Sequence, residues 1–511
     1  MFDALFTTTT EYKKLSHALS GKGACALFGL PASGRAQVYA ALCRQLDKPL
    51  CIVTPGEAEA TRFAADLNTL GIPTAVFPAR DYVLRPIEGT AREYEYRRLA
   101  VLGELVGGRL RAVAVPAEAL TQFTTPKEDF CANTRTLHTG DTLLRDDLLA
   151  ALFGAGYTRR AQVDGPGQFS VRGDIVDIFA PDQKMPVRME FWGDEIDTLH
   201  TFDLTTQRRE DAIDKFYLSP AREVLFGKPA DAAEQLRAFW AKQRGKKKTA
   251  MADCMAADLD LLDGGAVPVN MDKYLAVRYP RPATVLDYFD DPILVAEEPA
   301  SIREADRATA YRRGEELKSL ILDGVLCAGL DNLYADPSYL WSKTGHYRTI
   351  CAENFARSMP DQPLKDIINA PAHTLPAWNG EVAGLLEDLK PLCDAGYTVT
   401  LLAGTDRAAA GLARDLRDKG ILVTTDAAAT PAAGLVQVLA GHLSAGCEFP
   451  FAKYALLTGR AFGETSSQKK KRKKAKDALN SLTEITPGDL VVHQNHGIGR
   501  YAGIQRMAVQ G

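Results

Sequence analysis

The sequence predicts a multidomain α/β protein: a parallel-sheet domain interrupted by a β-rich insertion, a second α/β domain, and a truncated small β-barrel at the C-terminus. Short apolar runs alternate with helical segments in residues 1–125 and 213–352, as in parallel sheets that helices cover on both faces. Between them, in residues 126–212, turn residues separate short segments of alternating polarity, which favours antiparallel strands. A further strand–helix–strand pattern in residues 362–463 predicts the second α/β domain.

Composition excludes several broad classes of protein. The net charge of −4 excludes a basic nucleic-acid coat, so any contact with nucleic acid must be local. The nine cysteines are odd in number and never form C-x-x-C, which favours reduced thiols over a disulfide framework or a zinc site. The sequence shows no signal peptide and no apolar run long enough to span a bilayer. We therefore expect a cytoplasmic protein without a membrane partner.

The first domain begins with the outline of a phosphate-binding loop. In "FGLPASGRAQVYAAL" (28–42), an apolar strand leads to Gly29, and Gly34 follows five positions later. The usual pattern, G-x-x-x-x-G-K-[ST], places a Lys on the phosphates and a hydroxyl on Mg²⁺. Here those two positions hold Arg35 and Ala36. Arg is a bulkier cation than Lys, and Ala cannot bind the metal, so we predict a degenerate nucleotide loop.

The insertion contains a strand with two contrasting faces, "PVRMEFW" (186–192). Because strand side chains alternate, Arg188 and Trp192 lie on the face opposite its apolar residues. Arg172, on the preceding strand of the predicted meander, can reach the same face. Trp and Arg are enriched in binding hot spots, which favours an interface. The alternative is structural: the Trp packs under a neighbouring loop, or an Arg stacks on it.

The second part of the first domain, residues 213–352, carries a matching defect. An apolar strand leads into Glu297 and Glu298, where a helicase box would read D-E-x-H. Asp is replaced by Glu297, and the His position holds Ala300. Because hydrolysis needs an acidic group that holds Mg²⁺ and orients water, two defects in one apparatus predict a domain without hydrolytic activity.

The last 50 residues change character. Residues 464–482 hold the basic run Lys469–Lys474, which predicts a solvated linker, with phosphate contact as the alternative. Residues 483–511 begin a small β unit with too few strands to bury one face. Its His493 and His496 would face opposite sides of a strand, which argues against a metal site.

Two groups of motifs resemble a known family. "GQFSVRGDIVDIFAP", "PVRMEFWGDEIDTLHTFDLTTQRR" and "LSPAREV" resemble the UvrB-homology region of the bacterial transcription-repair coupling factors, the Mfd family. "GDLVVHQNHGIGRYAG" resembles the opening of that family's RNA-polymerase-interacting domain. The resemblance implies a UvrB-like, degenerate RecA-type sheet domain without ATPase activity, and a β insertion that binds the repair protein UvrA.

The resemblance also implies partners and site residues. The UvrA contacts map to Phe169, Arg172, Arg188 and Trp192, and the C-terminal module implies contact with the RNA polymerase β subunit. ATP, Mg²⁺ and double-stranded DNA are implied for a translocase motor beyond Gly511, with no cofactor in this chain. The alternatives are a nucleotide-dependent helicase half that retains ATP binding or hydrolysis, and a small-molecule enzyme built on the second α/β domain.

Overall fold

The structure is a computed structural model that describes residues 3–86, 92–355, 362–378, 382–429, 432–459, 490–493 and 497–500. The chain forms two compact units, Met1–Arg460 and Ala461–Gly511, and each is described by itself. The predicted linker at 464–482, with Lys469–Lys474, lies outside the described residues, as does His496.

The helices and strands that precede the insertion are α1 (Asp3–Thr7), α2 (Thr10–Ala18), β1 (Gly23–Phe28), α3 (Ala32–Leu46), β2 (Leu50–Thr54), α4 (Glu57–Thr69), β3 (Thr74–Val76), α5 (Glu93–Val106), β4 (Ala112–Pro116), α6 (Ala117–Leu120) and α7 (Lys127–Ala132). The insertion contains β5 (Arg135–His138), α8 (Arg145–Gly154), β6 (Thr158–Arg159), β7 (Gln168–Arg172), β8 (Ile175–Phe179), β9 (Val187–Trp192), β10 (Glu195–Phe202), β11 (Arg209–Ala212) and β12 (Lys215–Leu218).

The chain then returns to the first domain through α9 (Pro229–Lys242), α10 (Lys246–Asp263), α11 (Leu275–Arg278), β13 (Ile293–Glu297), α12 (Pro299–Leu322), α13 (Tyr339–Lys343), β14 (Arg348–Glu353) and β15 (Leu364–Asn369). The second α/β domain contains β16 (His373–Leu375), α14 (Val382–Asp394), β17 (Thr398–Leu402), α15 (Asp406–Asp418), β18 (Val423–Thr424), β19 (Val436–Leu439), β20 (Gly446–Phe449) and β21 (Tyr454–Thr458). The C-terminal unit contributes β22 (Leu490–His493) and β23 (Gly497–Arg500), an antiparallel pair.

The first domain is built on a seven-stranded parallel sheet in the order β15-β1-β14-β13-β2-β4-β3. Its central strands β2, β4 and β13 are completely buried, and apolar except for Thr54 and Glu297 at their ends, because helices cover both faces. The predicted α/β architecture with a parallel sheet is therefore confirmed. The second α/β domain has a six-stranded mixed sheet in the order β16-β20-β21-β17-β19-β18.

Three predicted boundaries need correction. The boundary at residue 362 is too early, because β15 pairs in parallel with β1 and completes the first sheet. The boundary at residue 126 is also too early, because Phe130 on α7 is buried in the core of the first domain. The insertion ends later than residue 212, because β12 pairs with β5. In addition, α9, α10 and α11 form a helical module around their own apolar cluster, where mixed α/β structure was predicted.

A buried network of charges fixes the insertion to the first domain. Glu223, a few residues after β12, accepts a hydrogen bond from Nε of Arg98 on α5 at 2.6 Å. Its backbone N–H donates to Glu95, also on α5, at 3.0 Å. Arg80, between β3 and α5, pairs with Asp272 of the helical module at 2.7 Å. Because these charges are buried and mutually compensated, separating the modules would expose unpaired charge.

Among the residues that the structure describes, no helix combines the length and the apolarity that a bilayer crossing requires.

Candidate interaction site

The insertion is a six-stranded sheet in the order β11-β10-β9-β8-β7-β6, with one face against an apolar core. Side chains of β9 alternate as the sequence predicts: Val187, Met189 and Phe191 are buried. Trp192, on the opposite face, is 82% exposed. The predicted division of this strand into a core face and an open face is therefore confirmed, and the alternative in which Trp192 packs under a loop is excluded.

Phe169 does not belong to the open face. It is 0% exposed, lies in the core cluster of the insertion, and packs edge-to-face against Phe153 with ring centroids 5.1 Å apart. The prediction that Phe169 contacts a partner is wrong, because residue 169 falls on the core face of β7 while Arg172 falls on the opposite one. Phe169 supports the sheet beneath the site.

The two predicted arginines meet on one carboxylate. Asp177 of β8 lies directly opposite Arg188 of β9 in the strand register, and its side chain is 1% exposed. Arg188 donates from Nε to Oδ1 at 2.7 Å and from Nη2 to Oδ2 at 3.0 Å. Arg172 donates from Nη2 to Oδ2 at 2.5 Å. One buried carboxylate therefore holds both guanidinium groups.

The two arginines differ in exposure. The side chain of Arg188 is 11% exposed, and that of Arg172 is 47% exposed. Arg188 also donates from Nη1 to the carbonyl of Gln207 at 3.2 Å and lies over the ring of Phe202 at 4.8 Å. Its hydrogen bonds to Asp177 raise the pKa of the Arg188 guanidinium above its ordinary value, so it stays charged at any physiological pH.

The open face is covered at one end and free at the other. A small cluster of Val163, Phe179, Phe202 and Leu204 packs over the end beyond Arg188. Trp192 and Arg172 occupy the other end, each at the last residue of its strand. They lie two strands apart, about 10 Å across the sheet. The part of this face that a partner can reach is therefore its open end.

A second ion pair lies on the side of β9 away from Arg172. Glu190, two residues before Trp192 on the same face, pairs with Arg209 of β11 and accepts from Oγ1 of Thr198 at 3.2 Å. Glu195 of β10, exposed and directly opposite Trp192 in the register, adds a third carboxylate to this face. Three carboxylates thus balance the three guanidinium groups. An exposed indole and, two strands away, a partly free guanidinium are suited to bind an apolar surface that carries a carboxylate.

The degenerate nucleotide loop is neutralised by the protein itself. Arg35, buried at the start of α3, forms ion pairs with Glu297 and Glu298 at 2.9 Å each. Tyr39, one turn further along α3, donates to Glu297 at 2.5 Å. Burial raises the pKa of the Glu297 carboxyl, against the lowering effect of Arg35. Arg35 and Glu297, which replace the usual Lys and Asp of the two motifs, are thus in direct contact, and each neutralises the charge of the other.

The loop is also covered. The carbonyl of Gly29, which has a φ of 87°, accepts a hydrogen bond from Ala372 at 3.0 Å. A Cβ on Gly34 would lie 2.9 Å from Sγ of Cys447 on β20. The second α/β domain therefore packs on the first turn of α3, the position that faces phosphate in a working loop. Ala36 is fully buried in the core that the two domains share.

Among the described residues, no group of three or more His, Cys, Asp or Glu side chains is placed to hold a metal ion.

Comparison with known proteins agrees with this division of the chain. A family model described as the UvrB interaction domain matches residues 136–224, the insertion and the network residue that follows it. A model described as the CarD-like/TRCF RID domain matches residues 485–511. A curated transcription-repair-coupling factor of Bacillus subtilis is 26% identical over 500 residues, 95% of this chain. This chain resembles transcription-repair-coupling factors.

The resemblance runs along almost the whole sequence. A coupling factor of Staphylococcus haemolyticus is 26% identical over 497 residues, and one of Staphylococcus aureus is 24% identical over 495. The chain spans 42% of the length of each of these coupling factors.

Sequence reasoning missed Asp177, the residue that joins the two arginines. The signal was present: in "RGDIVDIF" this acid lies on the same face of β8 as the arginines of β7 and β9. The sequence alone does not give the register that sets Asp177 opposite Arg188.

Proposed function

We propose that this chain is the adaptor portion of a transcription-repair coupling factor, which recruits UvrA to stalled RNA polymerase in nucleotide excision repair. The observation that carries the proposal is the open end of the insertion. There, Trp192 and Arg172 are exposed on the same face, two strands apart, within the segment that matches the UvrB interaction domain. An exposed indole and a guanidinium on one face have the composition of a binding hot spot.

The C-terminal unit supports the second half of the proposal. Residues 485–511 match the CarD-like/TRCF RID domain, and we assign to this module the contact with the RNA polymerase β subunit. ATP-driven movement on double-stranded DNA belongs, in this proposal, to the part of the coupling factors that the present sequence does not cover.

The first domain serves as a scaffold without a nucleotide of its own. The pairing of Arg35 with Glu297 supports this assignment. Arg35 stands where a cation would bind phosphate and Glu297 where an acid would bind the metal, and each neutralises the other. We expect Mg²⁺-ATP to leave the melting temperature of the chain unchanged. A thermal shift that Arg35→Met abolishes would instead favour the nucleotide-dependent helicase alternative.

Binding to purified UvrA tests the adaptor role. Arg172→Ala combined with Trp192→Ala should weaken binding at least about 100-fold, because central aromatic and Arg contacts are worth about 2 kcal/mol or more each. Tyr311→Ala is the matched control, since Tyr311 is an exposed aromatic residue on α12, outside the insertion, and should leave affinity unchanged. Undiminished binding by the double variant would reject this surface as the UvrA site.

A further inference from the structure

We propose that Asp177 is the positioning residue of the docking surface, and that Arg188 acts through Asp177 without touching the partner. Arg172 is then the arginine that meets the partner, and it meets a carboxylate. This inference rests on the proposed function, since it divides roles among residues of the same site.

The two arginines differ in how many of their N–H donors are already used within the protein. A guanidinium has N–H donors on all three of its nitrogens. All three nitrogens of Arg188 donate to the protein, two to Asp177 and one to Gln207. Arg172 commits Nη2 alone; its Nε and Nη1 have no hydrogen-bond partner among the described residues. Arg172 can therefore pair with an incoming group, whereas Arg188 would have to give up a buried bond first.

Asp177 determines where the exposed guanidinium points. Its carboxylate is buried between β7 and β9, so the bond from Arg172 fixes one edge of that guanidinium against the sheet. A long side chain that is already ordered loses less conformational entropy on binding. Arg188, which holds both oxygens of Asp177, keeps the carboxylate in the orientation that Arg172 needs.

The charge of the open end favours a carboxylate on a protein over the phosphates of a nucleic acid. Asp177, Glu190 and the exposed Glu195 balance the three arginine charges, so this end has no excess of cations. Nucleic-acid sites gather several unpaired cations along the backbone, because affinity comes largely from phosphate contacts. Arg172, with two nitrogens that have no hydrogen-bond partner among the described residues, instead fits a single carboxylate set in an apolar protein surface.

A double-mutant cycle with purified UvrA tests the division of roles. Asp177→Asn and Arg188→Ala should each weaken binding about 10-fold. The double variant should bind no more weakly than whichever single variant has the lower affinity. In an Arg172→Ala background, both changes should cost less than about 3-fold, because the residue that they position is gone. Effects of Asp177→Asn and Arg188→Ala that multiply, or that persist without Arg172, would show that Arg188 contacts the partner and would overturn the proposal.

Two controls exclude a general loss of structure. Asp263→Asn alters a carboxylate that has its own arginine, Arg237, in the helical module outside the insertion, and should change affinity less than 3-fold. If Asp177→Asn does not fold, as judged by circular dichroism, the cycle of Arg188→Ala with Arg172→Ala decides alone.

Salt dependence and a DNA titration complete the test. Raising NaCl from 50 to 500 mM should weaken wild-type binding more than binding by Arg172→Ala, since that variant lacks the ion pair across the interface. Equal salt dependence would overturn the carboxylate assignment, as would an Arg172→Ala variant that loses affinity for double-stranded DNA and retains it for UvrA. Absence of UvrA binding by the wild-type chain would reject the proposed function itself, which is a distinct outcome.

Discussion

Replacing Arg35 by Met should destabilise the first domain by about 3–5 kcal/mol, the cost of leaving a buried charge without its partner. The structure sets this magnitude. Arg35 and Glu297 are both almost completely buried, with Nε and Oε2 2.9 Å apart. Without the guanidinium, the Glu297 carboxylate would keep one buried hydrogen bond, from Tyr39. Met preserves much of the side-chain volume, so the loss reports charge and not a cavity.

A second variant separates the charge from the contact. Arg35→Met combined with Glu297→Gln removes both charges and retains an oxygen that accepts from Tyr39. The double variant should recover at least half of the loss, because replacing a buried ion pair by neutral groups is often nearly neutral. Arg44→Met is the matched control, since Arg44 is an exposed arginine on the same helix, and should cost about 1 kcal/mol or less.

The measurement is hydrogen exchange of the α3 amides in low urea, which gives the free energy of opening of the first domain. A global unfolding midpoint is less suitable, because it would average the first domain with the others. Arg35→Met should lower that free energy, and the double variant should restore most of it. Equal costs for Arg35→Met and Arg44→Met would refute the reasoning. A double variant that is less stable than Arg35→Met alone would do the same.

The other predictions concern packing and pH. Gly34→Ala should destabilise the chain by about 1–3 kcal/mol, because the new methyl would meet the sulfur of Cys447 on β20. Gly411→Ala, in open space on α15, should instead stabilise it by about 0.5–1 kcal/mol. Thermal unfolding measures both changes. Burial raises the pKa of the Asp306 carboxyl from 3.8 to about 6, so its ionised form costs stability as pH rises through that interval. Asp306→Asn should therefore stabilise the chain by up to about 3 kcal/mol at pH 7.5 and not at pH 4, as measured by urea unfolding at both pH values.

Local patterns in the sequence predicted the open face correctly. A strand with one buried face must alternate, so Trp192 could be assigned to the exposed side of β9 from its neighbours alone. The same alternation excludes Phe169 from the open face, although its place in the motif suggests a contact. Phe169 lies three residues before Arg172, an odd number, so the two side chains lie on opposite faces of β7.

Pairings between distant segments could not be predicted in this way. The strand β15 joins the first sheet by pairing with β1, more than 300 residues earlier, and local periodicity says nothing about such a partner. The contact between Arg35 and Glu297 has the same origin, since α3 and β13 come together only when the sheet is complete. The register that aligns Asp177 with Arg188 is likewise a property of the assembled insertion.

The shared core beneath the nucleotide loop has a consequence for timing in the cell. The acidic Asp66 on α4 accepts two hydrogen bonds from Ser444, and Phe6 packs against Phe449 at 5.0 Å, so the scaffold is closed by residues of its own chain. Its shape is then expected to be the same in a starved cell and in a growing one, whatever the supply of ATP. Under the proposed function, a signal that controls recruitment of UvrA would act on access to the indole of Trp192 in the insertion, and not on the parallel sheet of the scaffold.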